Sequence, residues 1–257
     1  MSALLSLRGV GKRFWRGEVA HWPLRRVDLN VAAGEVVAVV GMRSQGKTTL
    51  LRIAAGMLAP DEGAVLLDGQ RLEQLSDRAH ARVLRQRIGL AGRRGPRIDL
   101  RMLDYVAMRL TIGRRRQRRD AQAGALAALE RVGVEHGAAR HWEELSDWER
   151  ALVELAQAIA PAPRLLLIDD LIDGLGMRET EQLARLVRTL AEQERIGVLM
   201  AVSDPEAALC AHRVLSLADG RLRQLSGPPG EGMENVIDFP RVPDTVRQPA
   251  APTVAER

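Results

Sequence analysis

The chain has 257 residues, 46% of them hydrophobic and 28% charged, a balance that excludes a wholly disordered polypeptide and suits one large domain, or a domain with a subdomain. Its formal net charge is +5, but only Lys12 and Lys47 among the 38 basic residues are lysines, a bias that fits a GC-rich genome better than nucleic-acid binding. The aromatic residues, Phe14, Phe239, Tyr105 and four tryptophans, are too few for a base-stacking platform, and the lone Cys210 excludes both an intramolecular disulfide framework and a cysteine zinc site.

No apolar run reaches the ~20 residues of a membrane helix, and Met1 to Leu5 lack the basic-then-apolar layout of a signal peptide. A cytoplasmic location is the expectation, and work at a membrane would need a partner that spans it. Along the chain, Leu4 to Val10, Val27 to Val31 and Glu35 to Val40 read as strands; the apolar run Val36 to Val40, without alternation, is that of a strand buried on both faces. A helix is predicted from Lys47 to Ala55, then a strand from Ala64 to Leu67 closed by the turn Asp68-Gly69. Leu72 to Leu145 lean helical and carry the arginine cluster Arg114 to Arg119, which reads as a solvated face or loop, or as a contact for lipid headgroups or a partner's acidic loop. Strands recur at Leu165 to Ile168, Val198 to Val202 and Arg213 to Leu217, with helices between, which argues for a mostly parallel sheet covered on both faces. From Gly227 the chain turns Pro-rich and reads as a disordered tail, 227–257.

Directly after the buried strand stands Gly41-Met42-Arg43-Ser44-Gln45-Gly46-Lys47-Thr48-Thr49, matching G-x-x-x-x-G-K-[ST] between a strand and a helix. Glycines there let backbone N–H groups converge on phosphate oxygens, and the helix N-terminus adds a favourable potential for an anion. Lys47 is placed to reach the β- and γ-phosphates and Thr48 to hold Mg²⁺; a compact ammonium suits this cradle where a planar guanidinium would not. Far downstream, Leu165 to Asp169 is an aliphatic strand ending in a carboxylate, the arrangement by which P-loop enzymes help hold Mg²⁺.

With Ile88 to Arg93, Leu145 to Arg150, Val202-Ser203-Asp204 and Ala218 to Leu222 added in that order, the sequence from about Leu4 to Gly227 resembles the ATP-binding subunits of ABC transporters. The resemblance implies an α/β P-loop NTPase fold, RecA-like, with an N-terminal antiparallel β subdomain, a helical subdomain at about 92–160 and one ATP-binding domain over 1–226. It implies ATP and Mg²⁺ as ligands, bound by Gly41, Arg43, Ser44, Gln45, Gly46, Lys47, Thr48, Thr49 and Asp169, with Phe14 stacking on adenine unless it is a packed core residue. Ser146 would serve the nucleotide of a second subunit, because in this family two subunits pair head to tail. The implied setting is peripheral, on the inner face of the membrane, beside an integral-membrane permease and in a homodimer or heterodimer; no nucleic-acid partner is expected.

The chain departs from the family at its catalytic positions. Arg93 stands for a glutamine, Asp147-Trp148 for the glycines of the signature, Asp170 for the glutamate that polarises the attacking water, Ser203 for the switch histidine, and Gly176 for the aspartate of the following loop. Asp170 is one methylene short, and a misplacement of ~1 Å can cost on the order of 10²-fold in rate. Ser203 offers no imidazole, and Asp147 sets a carboxylate where backbone N–H groups should meet phosphate. The expectation is slow or lost hydrolysis; a hydrolysis-competent transport ATPase and a nucleotide-sensing regulatory module are the competing readings.

Overall fold

The computed structural model describes residues 3–93, 95–111 and 118–225. The expectations placed on residues 114–117 of the arginine cluster and on the tail 227–257 lie outside the described residues.

The chain opens with a long hairpin of β1 (Leu5–Arg16) and β2 (Val19–Val31), paired antiparallel with register shifts between Leu7 and Phe14. Then come β3 (Val36–Val40), α1 (Lys47–Ala54), β4 (Glu62–Leu67), β5 (Gln70–Arg71), α2 (Asp77–Gln86) and β6 (Ile88–Gly92). The helices α3 (Met102–Thr111), α4 (Arg118–Val132) and α5 (Asp147–Ile159) precede β7 (Leu165–Asp169), α6 (Met177–Glu194), β8 (Gly197–Val202), β9 (Arg213–Ala218) and β10 (Arg221–Gln224). Two sheets result: an antiparallel one in the order β2-β1-β4-β5, and a six-stranded one in the order β10-β9-β3-β8-β7-β6, parallel except for the edge pair β9–β10. Among the described residues no helix is long and apolar enough to cross a membrane.

The strand at Ile88–Gly92 corrects the helical leaning of the 72–145 stretch. Five residues with two glycines carry little periodicity, yet the segment pairs in parallel with β7, and a Cβ at Gly89 would stand 2.5 Å from the Ala158 carbonyl of α5.

The unbroken apolar runs serve two cores at once. Val36, Ala38 and Val40 face the helices α3 to α6, whereas Val37 and Val39 face α1 and the antiparallel sheet; in β7, Leu166 and Ile168 divide from Leu165 and Leu167 in the same way. Each fully buried aliphatic contributes about 1.5–3 kcal/mol, so a polar substitution on either face is costly. The parallel strands therefore end at one edge, and the segments after β3, β7 and β8 meet there.

Candidate nucleotide site

Gly46 ends the loop after β3 with φ +101 and stands at the N-cap of α1 without a side-chain cap. A Cβ here would lie 2.6 Å from the Pro23 carbonyl, so the turn requires glycine and leaves the first N–H groups of α1 turned to the cavity outside it. Ser44 also has positive φ, and the Gln45 side-chain oxygen accepts from the Met42 N–H at 3.1 Å, bracing the loop. The cavity, about 380 Å³, is lined by Phe14, Pro23, Arg43, Lys47, Thr48 and Asp170, together with Ser44, Gly46, Thr49 and His21.

Lys47 is buried, and its ammonium donates to the carbonyls of Gly41 at 2.6 Å and Met42 at 3.1 Å and to Ser203 Oγ at 3.1 Å. Burial holds its pKa below the ordinary lysine value, against the opposing pull of Asp170 and Asp169, and the Arg43 charge adds to the lowering. Thr48 Oγ1 donates to Asp169 Oδ1 at 3.0 Å. A hydroxyl and a carboxylate at this separation fit a hard divalent cation carried by a polyphosphate. The glycine turn and the deep ammonium fit the polyphosphate itself.

Asp170 adopts φ +46, a left-handed conformation that costs a non-glycine residue on the order of 1–3 kcal/mol. Its N–H donates to the Ala201 carbonyl at 3.0 Å, and its Oδ1 accepts from Ser203 Oγ at 3.1 Å. Ammonium, hydroxyl and carboxylate thus stand in series. An ammonium can only donate and a carboxylate only accept, so the single Ser203 proton points at Asp170.

Phe14 is 42% exposed, with Lys12 5.6 Å from its ring centre, and it lines the cavity rather than packing into a core. Cross-strand pairing places His21 opposite Phe14, a neighbour that the sequence alone did not reveal because both lie beyond the register shifts of the hairpin. Asp173 was also missed as a site residue. Its carboxylate accepts from Arg43 Nη2 at 2.7 Å, and its carbonyl accepts from Arg93 Nη1. Arg93 is thus tied to the loop after β7.

Ser146 lies apart from this cavity. It N-caps α5 in a capping box, with Ser146 N–H and Oγ donating to Glu149 Oε2 at 2.8 and 2.9 Å and Glu149 N–H donating back to Ser146 Oγ at 3.2 Å; Glu149 is also paired with Arg140. Asp147 is exposed in the first turn and pairs with Arg150 at 3.5 Å, while the Trp148 ring packs against the helical core. A carboxylate at this helix end interacts favourably with the helix dipole.

A family model described as "ABC transporter" matches residues 24–172, more than half of the chain. The lipoprotein-releasing system ATP-binding protein LolD of Shewanella sp. (strain MR-7) is 34% identical over 224 residues, covering 87% of this chain and 96% of that protein. Its counterpart from Shewanella oneidensis is 35% identical over 221 residues, covering 86% and 96%. Among solved structures, the dimeric ATP-binding cassette MJ0796 in a post-hydrolysis state, bound to ADP and Pi, superposes with a TM-score of 0.77 at 27% identity over 87% of this chain and 99% of that one. CbiO1 from Clostridium perfringens, part of the ABC transporter complex cbiONQ, shares the fold with a TM-score of 0.78 at 22% identity over 89% of this chain and 90% of that one.

Proposed function

The chain belongs to the ABC transporter family as an ATP-binding subunit, and we propose that it binds Mg-ATP in the cavity between Phe14 and Asp170 while hydrolysing it slowly or not at all. It would work at the inner face of a membrane beside an integral-membrane permease, paired head to tail with a second ATP-binding subunit. Phe14 would carry the base, the loop from Gly41 to Thr49 and Lys47 the phosphates, and Thr48 with Asp169 the metal. When bound, Mg²⁺ would neutralise charge on the phosphate oxygens.

The observation that supports impaired hydrolysis is the series Lys47, Ser203, Asp170. Asp170 keeps a carboxylate near the position where a water must be activated, but its oxygen already accepts the Ser203 proton and its backbone sits in a strained turn. Ser203 has no second proton for the γ-phosphate while it serves Asp170. At the other half of a head-to-tail pair, Asp147 would bring negative charge toward the partner's nucleotide. The site's own defect and the signature's defect fall on different nucleotides, so a competent partner would not fully repair either.

Calorimetric titration of wild type and Lys47→Ala with Mg-ATP tests the binding half of this reading. Binding by wild type, weakened on the order of 10²-fold or more when the ammonium and its charged hydrogen bonds are removed, supports it. Equal affinities, or no binding by wild type, would overturn it.

A further inference from the structure

Two arginines converge on one residue of the loop after β7, Asp173. Arg43 lies within the phosphate loop and lines the nucleotide cavity. Its Nη2 donates to Asp173 Oδ2 at 2.7 Å, across from the loop that follows β7, and Asp173 in turn takes Arg93 on its carbonyl. Among the described residues no other atom of the Arg43 guanidinium has a protein acceptor. The side chain is 78% exposed at the mouth of the cavity, yet it is held at one corner by an ion pair and its remaining N–H groups are free.

Behind Lys47 and Asp170, which line the cavity, the Ser203 hydroxyl is committed: it accepts from Lys47 and gives its proton to Asp170, so it offers no donor to a terminal phosphate without breaking the Ser203–Asp170 bond. A triphosphate has one more charged phosphate than a diphosphate and reaches further out from the helix end and Lys47, toward the mouth of the cavity where Arg43 stands. A guanidinium offers planar, always-charged donors suited to two phosphate oxygens at once.

We propose that Arg43, aimed by Asp173, supplies the terminal-phosphate contact of this site and so makes it prefer a nucleoside triphosphate over a diphosphate. The inference rests on the reading of the cavity as a nucleotide site. Arg43 is the phosphate-binding residue and Asp173 a positioning residue that acts through it. Nη2 stays on Asp173 and keeps the guanidinium at the cavity mouth, leaving the other guanidinium N–H groups to donate to the phosphate. No covalent step is involved, since the contact is a charge-assisted hydrogen bond that ADP lacks.

The test compares Mg-ATP and Mg-ADP affinities, by calorimetry on the full chain, for wild type, Arg43→Ala, Asp173→Ala and Asp173→Glu. Arg43→Ala is expected to weaken ATP binding about tenfold, the value of one charged hydrogen bond, and to leave ADP within about twofold. Asp173→Ala should lower the ATP-to-ADP preference in the same direction by less, and Asp173→Glu should restore part of it. A merely structural role would weaken both nucleotides alike, and that result, like an unchanged ratio, would overturn the proposal. A lowered ratio in Arg43→Ala with none in Asp173→Ala would overturn the positioning role of Asp173. Absence of binding of either nucleotide by wild type would instead overturn the nucleotide site on which the inference stands.

Discussion

Ser203 Oγ lies 3.1 Å from Asp170 Oδ1, a hydrogen bond between the two residues that the sequence resemblance sets at the family's switch-histidine and glutamate positions. Lys47 Nζ stands 3.1 Å from Ser203 Oγ, so Asp170 is linked through one hydroxyl to the ammonium proposed to meet the phosphates.

This coupling sets the outcome of repair. Asp170→Glu alone should gain little, because the signature segment still presents Asp147, and Asp147→Gly with Trp148→Gly alone should gain little, because the water remains poorly positioned. Residues that act as a unit are non-additive. The combined variant Asp147→Gly, Trp148→Gly, Asp170→Glu, Ser203→His is therefore expected to exceed the product of the separate gains in steady-state phosphate release. Gains that simply multiply would show the four positions to be independent.

Gly46 is the hinge of the cradle. Gly46→Ala must hold φ +101 with a methyl 2.6 Å from the Pro23 carbonyl. The backbone alone costs on the order of 1–2 kcal/mol, before the clash is counted. The variant should melt several degrees lower and lose its ATP-induced stabilisation; an unshifted melt with intact ATP response would mean that the loop rearranges freely.

Cys210 is buried, and burial pushes its thiol up to about 11. The folded chain thus keeps the neutral thiol where the unfolded chain ionises. The stability contribution is fully present below the ordinary thiol value and is lost as pH rises through that value toward about 11. At pH 8 a chromogenic disulfide reagent should leave the native protein nearly unlabelled and react only on denaturation. Rapid stoichiometric labelling of the native chain would place Cys210 at the surface.

Much of this architecture was legible in the sequence, for physical reasons that differ by element. Val36 to Val40 and Leu165 to Ile168 are apolar on both faces because two cores need them, and such runs announce a central parallel strand. The cradle was legible because its chemistry fixes residue type and spacing together. The far halves of β1 and β2 were not, since Lys12, Arg13 and the register shifts interrupt alternation where the hairpin leaves the core. Nor was the role of Asp173 visible: an exposed aspartate in a loop has no periodicity, and only the fold brings it to Arg43 and Arg93.

The central claim, that the chain holds Mg-ATP without efficient hydrolysis, is tested most directly by mixing excess protein with terminally labelled ATP and reading the bound and the cleaved fractions from one sample over time. The expected result is protein-bound nucleotide recovered mainly as intact ATP, released as phosphate far more slowly than ~1 s⁻¹, the lower end of ordinary enzyme turnover. Phosphate release at ~1 s⁻¹ or faster would contradict it and show that Asp170 and Ser203 sustain catalysis; absence of bound nucleotide would contradict it from the other side.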